Sequence, residues 1–144
     1  MKTLRRLALV SAVCGVAAGC SGNSTGSNLP VVVGTWTVTK FEFVSAANSS
    51  TREDAIAQGN TATIVITATA FAATSQGSNV FTGTYTETAT TLVINGQDSG
   101  GHSETLTFAL TVSGSTLSLT GATTTHNFGS GEVSAYLNIT ATKQ

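Results

Sequence analysis

The sequence predicts an all-β protein, a meander of short antiparallel strands closed into a barrel or folded as a sandwich, and three observations carry that expectation. Threonine makes up roughly a fifth of the chain beyond residue 30, with frequent Val, Ile and Phe, the residue types that fit a half-buried pleated surface. Period-two alternation runs through most of the same region: "ETLTFALTV" sets Leu106, Phe108, Leu110 and Val112 on one face against Thr105, Thr107, Ala109 and Thr111. Such alternation describes antiparallel strands with one face buried and one in water. Glycine- and serine-rich breaks, "SQGSN" (75–79), "NGQDSGG" (95–101), "SGS" (113–115) and "GSG" (129–131), separate the runs as turns.

The first strand lies in "VVVGTWTVTKFEF" (31–43), which holds the only tryptophan. Trp36 and Val38 share one parity while Phe41 and Phe43 share the other. Keeping all four inside requires one extra residue near Thr39 or Lys40, a β-bulge, and bulges bend strands as the closure of a small barrel requires. Next, "SSTREDAIAQG" carries Ser50 and Glu53 at capping-box spacing and a glycine stop at Gly59, which predicts one or two turns of helix in the first loop. "FTGTYTET" sets Phe81, Gly83, Tyr85 and Glu87 against a row of threonines. "TLSLTG" brings Leu117 and Leu119, and "EVSAYLNITATK" aligns Val133, Ala135, Leu137, Ile139, Ala141 and Lys143.

The amino terminus reads as an export signal. Lys2, Arg5 and Arg6 precede an apolar run, Leu7 to Ala18, that is too short to span a bilayer. It ends in Ala17-Ala18-Gly19-Cys20, which resembles the lipobox of bacterial lipoproteins, although Ala stands where Leu is more usual. That resemblance implies a signal peptide over 1–19, a lipidated Cys20, and a flexible tether completing 20–30 ahead of a barrel domain at 31–144. Diacylglycerol on the Cys20 sulfur and acylation of the new amino terminus would then supply two or three palmitate-type chains to anchor the protein in the membrane, since more than one chain is needed for stable anchoring. Ser21, in place of Asp, implies the outer membrane. Cys14 lies inside the signal, so Cys20 is left without a disulfide partner.

Loss of the signal removes half of the six lysines and arginines and none of the seven acids. A chain so poor in cations has no basic patch for nucleic acid.

Gly34-Thr35-Trp36 at the head of the first strand resembles the G-x-W motif of lipocalins and the wider calycin group, and the order of strands from 32 to 143 is similar to small bacterial lipocalin-like lipoproteins. The resemblance implies an eight-stranded antiparallel up-and-down β-barrel with Trp36 across its closed end, where a basic residue of the last strand covers its ring. The last strand returns to that end only after an even count, so "TTTHNF" (123–128) is expected as the seventh strand, with 132–143 as the eighth. Lys143 takes that position, where lipocalins usually carry arginine. Gly34, Trp36 and Lys143 are therefore the expected closure of the barrel.

At the other end, inward parity is expected to gather Phe43, Tyr85, Glu87, His126 and Phe128 around an open mouth, with residues 45–60 arching over it as a lid. The two histidines, with Asp98 or Glu104, invite a metal hypothesis, but no H-x-H or H-x₃-H spacing exists, and His102 is expected at the closed end, away from His126. No serine sits in a nucleophile motif. The expectation is a monomeric, non-enzymatic envelope protein without cofactor or metal, binding or sequestering a small apolar or amphipathic molecule. The alternative is a protein-interaction module of the outer membrane. A binder needs a cavity, and an interaction module needs an exposed apolar patch.

Overall fold

The computed structural model describes residues 29–144; the expected signal peptide, Cys20 and most of the tether lie outside the described residues. Among the described residues the strands are β1 (Gly34–Ser45), β2 (Arg52–Asp54), β3 (Ala62–Ile66), β4 (Phe71–Ser75), β5 (Ser78–Glu87), β6 (Thr91–Asp98), β7 (Ser103–Ser113), β8 (Thr116–Asn127) and β9 (Glu132–Lys143). From β3 to β9 each strand pairs antiparallel with the next, while β1 takes β3 on one side and β9 on the other. This closes an eight-stranded barrel. The short β2 pairs with the far half of β1 and continues the line of β3.

The inward parity is the apolar one. Trp36, Leu92, Ile94, Leu117 and Leu119 are fully buried, and the threonine faces point outwards to water. Alternation therefore becomes a core because closure gives every strand one inside and one outside.

Three irregularities bend the wall. The expected bulge in β1 falls between Val38 and Lys40, so Trp36, Val38, Phe41 and Phe43 all belong to the core. A second interrupts β4 against β5 at Ala73 and Thr74. A third lies in β8 between Leu119 and Ala122, where Gly121 adopts φ +81° and its N–H donates to Asn138 Oδ1. Gly83 and Gly96 face each other on β5 and β6; a Cβ on Gly96 would run into the backbone of Thr82 and the Phe81 ring.

The pairing corrects two expectations about the elements. The helix expected in 50–59 is not formed: Arg52–Asp54 is strand β2, paired with β1 from Glu42 to Val44. Asp54 then turns the chain, its Oδ1 accepting from the amides of Phe41 and Ile56. The amides of Ala55, Gln58 and Asn60 find carbonyls at Phe41, Asp54 and Ala55. A partner strand and an Asx turn thus satisfy the groups that a capping box would otherwise serve.

Nor is 123–128 a strand of its own. Residues 123–127 continue β8 beyond its bulge, still paired with β9. The missing strand comes from residues 62–75, which split into β3 and β4 around a turn where Thr67 bonds back to Ala70. These two differences cancel in the strand count, which is why Lys143 still returns beside Trp36. They reverse the direction of everything between, from β5 to the first half of β8.

Candidate functional site

The closed end is built on β1 and β9. Trp36 lies opposite Lys143 in register, with Lys143 Nζ 5.3 Å from the ring centroid. The indole is buried completely and its Nε1 donates to the Val32 carbonyl at 2.8 Å, which satisfies its one polar atom. Val32, also buried, seals the bottom. Gly34 sits at φ +150°, and a Cβ there would meet Lys143 Cε at 2.8 Å. The three expected closure residues therefore touch.

The open end differs from the expectation. Phe43, His126 and Phe128 do come together: the Phe43 and His126 rings stack at 3.9 Å and 6°, and Phe128 meets His126 edge-on at 4.7 Å. Phe43 lies on β1 and His126 on β8, one strand apart, and the intervening inward residue of β9 is the small Ala135. His126 Nε2 pairs with Glu53 Oε2 at 2.8 Å, and Gln58 Nε2 donates to the other oxygen at 2.7 Å. The His126 hydrogen bond holds the Glu53 carboxyl below its ordinary range. Residues 45–60 are not a free arch over the mouth: β2 extends the wall, and the Glu53 side chain reaches β8 from it.

Tyr85 and Glu87 are at the opposite end from Phe43, His126 and Phe128. The register of β5 carries Glu87 down to the level of Leu92 at the start of β6, on the Trp36 side. The misplacement follows from the reversed direction of β5. Tyr85 Oη donates to the Thr67 carbonyl at 2.8 Å. Glu87 Oε2 is buried without a hydrogen-bond partner, and burial pushes this carboxyl above its usual range. Burial, and then the Glu87 charge, raise the Tyr85 phenol.

His102 moves the other way, to the open end, in the turn after β6. Its Nδ1 pairs with Asp98 Oδ2 at 2.9 Å, and that hydrogen bond raises the imidazole while depressing the carboxyl. Both histidines therefore stand at the mouth, each with its own carboxylate. Among the described residues no three His, Cys, Asp or Glu side chains gather as a metal site.

The open half of the barrel holds space. One cavity of about 210 Å³ lies among Phe41, Phe43, Phe71, Phe81 and Phe108, with Ile94, Leu106 and Leu137 among its other walls and Asp98 and Glu104 at its rim. A second, of about 220 Å³, adjoins it through Phe41, Ala73 and Val80 and is bounded by Val38, Ile56 and Ile64. Each is smaller than the roughly 300–1,000 Å³ of a drug-sized pocket, and together they suit a small, mainly apolar guest. Sequence reasoning found Phe43 but missed the other four phenylalanines as a group. Inward parity would have gathered them once the strand directions were right.

On the outer wall Glu42 is buried between Lys40 Nζ at 3.1 Å and Arg52 Nη1 at 3.4 Å, which ties β2 to β1. No family model, curated protein or solved structure matches this chain.

Proposed function

We propose that this protein is a lipocalin-like, lipid-anchored barrel of the bacterial envelope that binds or sequesters a small apolar or amphipathic molecule. The observation that carries the reading is the pair of adjoining apolar cavities in the open half of a barrel whose other end is sealed by Trp36. The Gly34–Trp36–Lys143 contact supports the lipocalin likeness, and the lipobox ending in Cys20 supports an acyl anchor at the outer membrane. A role without catalysis fits a site whose polar groups sit at the rim and whose floor is apolar.

The rival, an interaction module, draws less support. Tyr136 is an exposed aromatic on the outer wall of β9, beside Val44, but the groove it lines is mostly polar, with Thr107, Thr120, Asn138 and the Glu42–Arg52 pair, rather than an apolar patch.

Native mass spectrometry of residues 21–144, which contain every described strand of the closed barrel, tests the proposal. The protein is purified from a bacterial periplasm without detergent. An adduct that disappears in Ala73→Phe, which fills the space shared by both cavities, is the expected result. A bare polypeptide mass, combined with no binding of added 4-phenylbutanol, would overturn the binding role and favour a protein partner. The anchor is tested separately: a Cys20→Ser chain should leave the membrane fraction, and its retention there would remove the lipoprotein reading.

A further inference from the structure

The charges around the cavity are one-sided. Asp98 closes β6 and Glu104 is the second residue of β7, both with the inward parity of Ile94 and Leu106, and both line the rim of the phenylalanine cavity. Glu53 and Glu132 belong to the same end of the barrel. The cations of the described residues lie elsewhere. Lys40 and Arg52 are held by Glu42 on the outer wall, and Lys143 lies over Trp36 at the closed end. The two imidazoles at the mouth are engaged by Asp98 and by Glu53. Glu104 makes no ion pair among the described residues.

Under that rim stand the rings of Phe41, Phe43, Phe71, Phe81 and Phe108. An aromatic face attracts a cation within about 6 Å of its centroid, and a carboxylate at the rim attracts it again. A fatty acid would bring its carboxylate against Asp98 and Glu104 with no lysine or arginine of the lining to receive it. A neutral alcohol would gain only burial. We infer that the molecule this cavity prefers is an apolar ammonium compound, a small aromatic or aliphatic body carrying a positively charged nitrogen, with the body among the phenylalanines and the nitrogen at the Asp98–Glu104 rim. The inference rests on the cavity being a binding site and adds the charge of its ligand.

Three probes of one shape separate these ideas: 4-phenylbutylammonium, 4-phenylbutanol and 4-phenylbutanoate, titrated into residues 21–144 and followed by amide chemical shifts. The titration is run at pH 8.5, well above the ordinary range of a histidine. The ammonium compound should bind about tenfold more tightly than the alcohol, the alcohol more tightly than the carboxylate, and the advantage should shrink with added salt. Glu104→Gln should narrow the ammonium-to-alcohol ratio to about threefold. Asp98→Asn should do the same, because Asn Oδ1 still accepts the amides of Gly100 and His102 that shape the turn. Glu132→Gln changes net charge equally but lies outside the lining, so it should leave the ratio as it was. Equal affinities, or preference for the carboxylate, would overturn the charge inference and leave the binding site standing. A ratio that falls as far in Glu132→Gln as in Glu104→Gln would reduce the preference to net charge and also overturn it. Failure of all three probes to bind would overturn the cavity reading itself.

Discussion

Gly34 shows how a single residue is held by its surroundings. Its backbone stands at φ +150°, where side chains rarely sit, and the space its Cβ would need is taken by the Lys143 stem. The stem can shift but the backbone cannot, so Gly34→Ala should cost about 1–3 kcal/mol by thermal or urea unfolding. Lys143→Ala removes both the covering stem and the ammonium near the indole. A loss of about 1 kcal/mol is expected, together with a shift in Trp36 emission; unchanged emission and stability would refute the contact. Glu87 carries a pH signature of opposite origin. Its folded pKa is raised by burial from an ordinary value of 4.5, so the unfolded chain gives up this proton first. Between those two values stability falls as pH rises, because ionisation favours the unfolded state. Glu87→Gln should therefore be the more stable protein at pH 8, with the gap closing as pH drops through the carboxyl range. Glu53 has the reverse sign: His126 lowers its pKa, so its contribution is present above the unfolded value and is lost as pH falls below it.

At the scale of elements the bulges carry the register. One extra residue in β1 brings Trp36, Val38, Phe41 and Phe43 to the same side. Deleting Thr39 would turn either the tryptophan pair or the phenylalanine pair outwards, and cooperative thermal unfolding by circular dichroism should disappear. This bulge was legible because the apolar parity changes within one short run. The bulge in β8 was not, since Leu119 and Ala122 differ in size and "TGATTTH" between strands reads as a break. The helix failed for a related reason. A capping box is a local preference, and β1 offered Arg52–Asp54 an antiparallel strand to pair with instead. Gly96→Ala tests the closest strand approach: a methyl there meets the Thr82 backbone and the Phe81 ring, and a loss of about 1–3 kcal/mol is expected.

For the whole molecule, closure is the decisive step. β1 and β9 come from opposite ends of the described chain, and their pairing converts an open sheet into a barrel. Such non-local pairing predicts slow folding, in the range of milliseconds to seconds. Closure also explains the distribution of space. The Trp36 end is filled by large side chains, while the other end tapers into phenylalanines around cavities.

The sequence by itself determined what local chemistry can specify: strands from alternation, turns from glycine and serine, and the bulge in β1; the meeting of Trp36 with Lys143 was implied by the resemblance to the G-x-W motif. Side-chain parity depends only on a residue's neighbours, so it survives an error in strand count. Strand direction does not, because each hairpin reverses every strand after it. Only the tertiary structure decided that residues 62–75 make two strands, that Tyr85 and Glu87 belong beside the tryptophan, and that Asp98, Glu104 and the phenylalanines share the open end. Those placements depend on the hydrogen-bond register of the closed sheet, a long-range property that no short run of residues carries.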